Sequence, residues 1–158
     1  MRMIGAIFAL LTMLSISIPA NAQTTDVPFL AGLRSFTIAI ADLDEEDETS
    51  CGLTRTGLYT SLRSVLGQSD IEVTDNVPAG DGIIYLQVTV LSNCTANITL
   101  NVQASVTINK TGARIFAPVW ERERLRTGLS RRSAGEAIRQ SVEAVATTLV
   151  SDWSSVNP

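Results

Sequence analysis

Apolar and polar residues alternate strictly in the middle of the chain. From Cys94 to Ile108 every second side chain is apolar, and threonine, asparagine, glutamine or serine fills each position between. Residues 82–91 and 35–41 follow the same period of two. This period predicts strands that bury one face and leave the other in water. We therefore expect a long hairpin that turns near residues 92–93, within a sheet that has a single apolar face.

Two more strands are predicted from the surrounding sequence. Residues 71–74 are predicted to form a short strand ahead of the turn-forming segment 76–82, and residues 114–124 to form a strand after a turn at 109–112. Pro118 has no N–H to donate to a strand ladder. The strand over 114–124 is therefore expected to lie at an edge of the sheet or to bulge at the proline.

A first helix is predicted between Thr54 and Gly67. Thr54 is a favourable N-cap residue, and glycine commonly ends a helix. Between them, apolar residues recur at helical spacing from Leu58 to Leu66, which is the pattern of an amphipathic helix.

A second helix is predicted at the carboxyl end of the chain. Apolar residues recur at spacings of three and four from Ile138 to Trp153. Ser133 and Glu136 have the spacing of a capping box, which would start this helix after a loop over 127–132. Together the elements predict an α+β two-layer sandwich in the order β-α-β-β-β-β-α. It would have about five mostly antiparallel strands and both helices on one face.

The first 22 residues have the pattern of a cleaved secretory signal peptide. Arg2 precedes an apolar run over 3–18, and small residues at positions 20 and 22 give an A-x-A cleavage pattern. We expect residues 23–34 to form a flexible lead and residues 35–158 to form a single domain. A bacterial lipoprotein carries its lipid on a cysteine at the cleavage site, where this chain has Gln23. The sequence therefore predicts a periplasmic or secreted protein without a stable membrane anchor.

Composition narrows the classes of function. The net charge is −4, which disfavours non-specific binding to nucleic acid. The chain has no histidine, the commonest general base and metal ligand. It also lacks the G-x-S-x-G elbow and the glycine-rich phosphate loops. We expect no cofactor and no enzymatic activity, with a hydrolase that uses an Asp/Glu pair as the remaining enzymatic alternative.

The two cysteines, Cys51 and Cys94, are expected to form a disulfide. A signal peptide would send both to an oxidising compartment, and two cysteines allow a single intramolecular pairing. The alternatives are two free thiols or an intermolecular bond.

Two charged clusters are candidate binding sites. The first is a series of arginines suited to capture carboxylate or phosphate groups, or to protect a strand edge from pairing; it consists of Arg122, Arg124, Arg126, Arg131 and Arg132. The second is an acidic run that could bind a small ligand or a cation such as calcium, or could be a solvated loop; it consists of Asp42, Asp44, Glu45, Glu46, Asp47 and Glu48. Trp120 is expected in the core, with a ligand platform as the alternative.

Several short strings resemble a group of secreted bacterial proteins. They are the acidic stretch that leads into residues 51–54, Cys94 on the long strand, Trp120, and the closing residues 152–158. The architecture is similar to that of periplasmic accessory modules. These include the lipopolysaccharide-assembly lipoprotein, the auxiliary lipoproteins of ABC transporters and the amino-terminal domain of the Tol-Pal translocation protein. The resemblance implies a non-enzymatic module that binds a protein or an envelope component, and it leaves the partner and the oligomeric state open.

Overall fold

The structure is a computed structural model that describes residues 26–45, 50–75 and 81–158. The signal peptide assigned to residues 1–22 lies outside the described residues, as do residues 76–80 of the expected turn. Two short 3-10 turns occur at Val27–Leu30 and Ser92–Cys94. The strands and helices follow in the order β1 (Ser35–Ile40), α1 (Arg55–Leu66), β2 (Glu72–Val73), β3 (Gly82–Val90), β4 (Ala96–Thr107), β5 (Arg114–Arg126) and α2 (Arg131–Val156).

The five strands form one mixed sheet in the order β2-β1-β3-β4-β5. β1 runs parallel to both of its neighbours, whereas β3, β4 and β5 form an antiparallel meander. The parallel pair β1–β2 is joined through α1, because parallel neighbours need a crossover connection. The α+β class and the element order are confirmed. The sheet was expected to be mostly antiparallel, but β1 pairs in parallel with both of its neighbours.

A single core cluster joins the sheet and both helices. The strands contribute fully buried side chains at alternate positions, as in Ile84 and Leu86 of β3. α1 contributes Leu58, Leu62 and Leu66, and α2 contributes residues from Ala134 to Trp153. The predicted period of two and the predicted helical stripes therefore identify the buried faces correctly.

The two helices begin differently. Thr54 caps α1 as predicted, since its hydroxyl accepts a hydrogen bond from the Gly57 amide at 3.0 Å. The capping box predicted at Ser133 and Glu136 is wrong, because α2 already begins at Arg131 with Ser130 as the N-cap residue. Glu136 instead accepts hydrogen bonds from its helical neighbours Arg139 and Gln140.

The disulfide between Cys51 and Cys94 is confirmed, with a Cα–Cα distance of 5.8 Å. It joins the segment before α1 to the turn between β3 and β4, and both cysteines are buried. Gly135 of α2 packs against this connection, because a Cβ atom there would lie 2.9 Å from the Cys51 carbonyl oxygen. The disulfide therefore also defines the surface on which the start of α2 rests.

Residues 26–34, which we expected to belong to a flexible lead, pack against the domain. Leu30 is fully buried in the core. Asn157 at the end of α2 accepts a hydrogen bond from the Gly32 amide at 2.8 Å and donates one to the Leu30 carbonyl at 3.0 Å. Apolar burial and backbone hydrogen bonding thus order a segment that lacks any regular sequence period.

β5 is an edge strand with a bulge, and both alternatives predicted from Pro118 hold. The register shifts between Val102 and Gln103, where Val102 pairs with Trp120 and Gln103 pairs with Pro118. Val119 is therefore the additional residue of β5. The bulge lies midway along the strand and divides it into two parts with different surroundings.

Candidate functional site

The arginines of β5 lie on the side of the strand that carries Trp120. Arg122, Arg124 and Arg126 pair with Leu100, Ile98 and Ala96, whose side chains are buried. Side chains that pair directly across an antiparallel ladder share a face of the sheet. These arginines therefore project toward the core side of the sheet, where α2 packs, and the series does not form one uniform exposed patch.

Arg122 is held by carboxylates from both ends of the chain. Its guanidinium donates to Asp26 at 2.8 Å and to Asp152 at 3.0 Å, and its side chain is 14% exposed. Trp120 donates its indole N–H to the same oxygen of Asp152 at 2.9 Å. The guanidinium also lies 4.9 Å from the centroid of the Trp120 ring. This arrangement fixes β5 to α2 and to the segment before β1.

The Asp26 carboxylate also occupies the edge of β5. It accepts a hydrogen bond from the Glu121 amide at 3.3 Å, on the side of the strand away from β4. Burial acts to raise the pKa of Asp26, but the hydrogen bonds from Arg122 and Glu121 and the Arg122 charge outweigh burial and place the pKa below its usual value. The ionised Asp26 carboxylate therefore occupies a backbone donor midway along the edge of β5 that has no neighbouring strand.

Arg126 also has an internal partner. Its Nε atom donates to the Ser141 hydroxyl at 2.7 Å, and Ser141 is buried in α2. Two of the five arginines predicted to bind a partner thus have structural contacts that hold β5 against α2.

The remaining three arginines are exposed and are named here the basic corner. Arg124 near the end of β5 and Arg131 and Arg132 at the start of α2 form no ion pair among the described residues. The first turn of α2 contains no acidic residue. Because the N-terminus of a helix carries a partial positive charge, the two arginines there raise an already positive potential.

A shallow groove of about 580 Å³ lies beside the bulge of β5. Its lining includes Phe29, Val106, Pro118 and Trp120, together with the acidic residues Asp26 and Glu121. A glycosidase needs a carboxyl group whose pKa is raised so that it can act as a general acid. The pKa of Asp26 is lowered instead. The Asp26 carboxylate is therefore not suited to the role of that general acid.

The acidic run does not gather into a cation site in the part of the chain that the structure describes. Asp42 pairs with Arg55 at 2.9 Å, and both side chains are exposed. Asp44 and Glu45 are exposed, whereas residues 46–48 of the run lie outside the described residues. Among residues 26–45, 50–75 and 81–158, no group of three or more candidate ligands is close enough to hold a metal ion.

Trp120 and the reverse face of the sheet differ in burial. Trp120 is 1% exposed, as expected for a core residue.

The reverse face of the sheet is the face away from the core. On it, Gln87 and Thr89 are exposed, but Asn101 is buried and accepts a hydrogen bond from Gln103 at 3.2 Å. The reverse face is therefore polar along β4, and it is hydrated at its margin more than at its centre.

A second surface was not singled out from the sequence. β3 begins at Gly82, opposite Ala104, whereas β4 and β5 stay paired as far as Thr107 and Arg114. The hairpin over residues 105–116, named here the hairpin tip, therefore extends past the rest of the sheet. It exposes the large apolar side chains of Ile108, Ile115 and Phe116.

The sequence signal for the hairpin tip is its charge. No acidic residue occurs anywhere in 82–120, and the basic residues in that range are Lys110 and Arg114. In a chain whose net charge is −4, this stretch could have been recognised as a locally basic segment.

Comparisons with known proteins give a weak structural likeness. No protein-family model matches the chain, and no curated protein matches its sequence. Among solved structures, the chain is similar to a minor lipoprotein from Acinetobacter baumannii, with 13% identity and a TM-score of 0.32. The similarity covers 78% of this chain and 94% of that one. A TM-score at this level establishes neither a shared fold nor a shared role. No described helix combines the length and apolarity that a membrane span needs.

Proposed function

We propose that this protein is a non-enzymatic binding module of the cell envelope, and that a partner bearing carboxylate or phosphate groups docks on the basic corner. The observation that carries the proposal is the exposure of Arg124, Arg131 and Arg132 without ion pairs in the described chain. The predicted signal peptide supports the location in the envelope.

The positions of the three arginines favour a role in binding over a role in stability. Arg131 and Arg132 lie in the first turn of α2, where cationic side chains oppose the helix dipole. Arg122 and Arg126, by contrast, stabilise the fold through Asp152 and Ser141. Exposed guanidinium groups that form no ion pair in the described part of the chain are well suited to bidentate capture of carboxylate or phosphate.

The test compares capture of envelope components by immobilised protein. The variant Arg124→Gln/Arg131→Gln/Arg132→Gln removes the charges of the basic corner but leaves the internal contacts of Arg122 and Arg126. We expect it to lose the partner that the wild type retains, and we expect moderate salt to weaken capture by the wild type. Protease treatment of the extract before capture distinguishes a protein partner from a lipid or polysaccharide.

A matched control removes charge at the opposite end of β5. The variant Lys110→Gln/Arg114→Gln changes two exposed basic residues of the hairpin tip. It should retain the captured partner. If the triple variant captures the same components as the wild type, the basic corner is not the binding surface.

A further inference from the structure

We propose that the hairpin tip contacts the surface of an anionic phospholipid bilayer. The inference concerns a different surface from the basic corner and does not depend on it. It commits to one occupant, a lipid surface with negatively charged headgroups.

The first argument is exposure of apolar area at a projecting end. Phe116 is 56% exposed, Ile115 is 45% exposed and Ile108 is 41% exposed, although large apolar side chains are normally buried. They cluster within one turn and the strand ends beside it, where the chain extends past β3. Ile115 pairs with Val106 and Phe116 with Ser105, so the two side chains lie on opposite faces of the hairpin and both faces of its projecting end expose apolar area. Apolar exposure of this kind marks an interaction surface.

The second argument is charge. Lys110 lies in the turn and Arg114 at the start of β5, and both are exposed. The hairpin tip itself contains no acidic residue, and Asp81, before β3 at the same end of the sheet, is engaged by the Arg34 and Ser35 amides. Apolar side chains flanked by basic residues are the combination that binds anionic membrane interfaces, since the apolar groups enter the acyl boundary and the cations lie among the phosphates.

A neighbouring segment extends the apolar surface. Phe29, which is 64% exposed, lines the groove beside the bulge together with Val106 of β4 and Ala117 of β5. The groove therefore extends the apolar area on the Val106 side of the hairpin tip, and its lining also includes Asp26 and Glu121. A bilayer contact would cover the tip first and then Phe29.

A second copy of the chain is a less suitable occupant. In the Glu121–Arg126 stretch, the glutamates lie on one face of β5 and the arginines on the other. Because paired residues share a face, two antiparallel β5 strands in one continuous sheet would place glutamate opposite glutamate and arginine opposite arginine. The Asp26 side chain also occupies the Glu121 amide at this edge. Self-pairing along β5 is therefore disfavoured by charge and by the occupied donor.

The test is flotation of the purified protein with two kinds of vesicle. One kind mixes phosphatidylglycerol with phosphatidylethanolamine, and the other contains only phosphatidylcholine. The N-terminal residue must first be established by mass spectrometry, because an apolar leader would itself bind lipid. We expect binding to the anionic vesicles and at least about a tenfold smaller partition to the neutral ones.

Variants then locate the contact. Phe116→Ser and Lys110→Gln/Arg114→Gln should each lower partition by about tenfold or more, from lost apolar burial and lost electrostatic attraction respectively. Leu125→Ser is the matched control, since Leu125 is 60% exposed on the same strand but lies at its opposite end. This control should bind vesicles like the wild type.

A fluorescent variant tests insertion directly. The native tryptophans, Trp120 and Trp153, are buried at 1% and 4% exposure. Phe116→Trp adds an exposed reporter whose emission should shift to shorter wavelength and be quenched by brominated lipid, whereas Leu125→Trp should show neither change.

Several outcomes would overturn the proposal. They are the lack of vesicle binding, equal binding to anionic and neutral vesicles, and loss of binding in the basic-corner variant but not in the hairpin-tip variants. A concentration-dependent oligomer that Phe116→Ser disperses, in protein that does not float with vesicles, would assign the tip to self-association instead. Loss of vesicle binding in the basic-corner variant would identify anionic lipid as the partner of that corner, and the other results leave the partner-capture experiment unaffected.

Discussion

Arg122 and Asp152 join the edge strand to the last helix through a hydrogen-bonded ion pair of 3.0 Å. The same guanidinium reaches Asp26, so three parts of the chain that are distant in sequence meet at one partly buried cation. Because β5 has a neighbouring strand on one side only, this ion pair replaces part of the restraint that a second neighbour would supply.

Removal of the Arg122 guanidinium should destabilise the protein. In Arg122→Ala, the partly buried carboxylates of Asp26 and Asp152 lose their cationic donor, and we expect the free energy of unfolding to fall by about 1–3 kcal/mol. Urea denaturation followed by circular dichroism measures the change. Arg124→Ala, at an exposed position of the same strand, should change stability by less than about 0.5 kcal/mol. Equal effects of the two substitutions would contradict the assigned role of Arg122.

Gly135→Ala should destabilise the protein even though alanine favours helices. The intrinsic gain is about 1 kcal/mol. The new Cβ atom would collide with the backbone of Gly52 and would lie 2.9 Å from the Cys51 carbonyl oxygen, neither of which can move freely beside the disulfide. We expect a net loss of about 1–3 kcal/mol from overpacking. Thermal unfolding measures it, with the exposed helical substitution Ser151→Ala as a control that should not lower the melting temperature.

The stability should decrease in acid partly through Asp26. Its pKa is lower in the folded chain than in the unfolded chain, so the unfolded chain binds the proton more tightly. The contribution of Asp26 is therefore complete above its unfolded pKa of about 4 and is lost as the pH falls through the lowered folded value.

The variant Asp26→Asn isolates this effect. It should be less stable than the wild type near neutral pH, and the difference should shrink toward about pH 3, where the aspartate is increasingly protonated. Urea unfolding at a series of pH values tests this expectation. A difference that stays constant over that interval would show that the charge of Asp26 contributes no pH-dependent stability.

Replacing the arginines at the start of α2 by glutamate should stabilise the helix and abolish binding at the basic corner. Acidic side chains near a helix N-terminus interact favourably with its dipole, so Arg131→Glu and Arg132→Glu should each add about 0.3–1 kcal/mol. The same variants should no longer capture an anionic partner. A gain in melting temperature without any loss of capture would separate these arginines from binding.

Reduction of the Cys51–Cys94 disulfide should lower the free energy of unfolding by about 2–4 kcal/mol. The cross-link spans 43 residues and therefore restricts the unfolded chain over α1, β2 and β3. Unfolding with and without a reducing agent gives the difference, and Cys51→Ser/Cys94→Ser serves as the variant that is insensitive to the agent. Identical curves for oxidised and reduced wild type would contradict the expectation.

The sequence predicts those parts of the fold that depend on local periodicity. β4 extends over Ala96–Thr107 where the alternation is strongest, and α1 begins at the predicted cap Thr54. The start of α2 was misplaced because the Ser133/Glu136 spacing is a local pattern, whereas Glu136 is engaged by Arg139.

The roles of the arginines were only partly predictable. Arg122 shares its side of β5 with Trp120, and that parity was a usable signal that it faces the core. Its partners, however, lie 96 and 30 residues away in Asp26 and Asp152. Sequence spacing does not tell which distant carboxylates the fold brings to a guanidinium. An arginine in an internal ion pair and an arginine in an exposed binding patch therefore look the same in the sequence.

The length of β5 separates the electrostatic fields of the two proposed surfaces. From Arg114 to Arg124 the strand spans roughly 30 Å, at about 3.3 Å per residue. Mobile ions screen charge over about 8–10 Å at ordinary ionic strength. If the hairpin tip contacts a bilayer, the arginines at the other end of β5 lie several screening lengths from the lipid headgroups. The lipid charge does not reach them at that distance, and they stay accessible to a soluble or neighbouring anionic molecule.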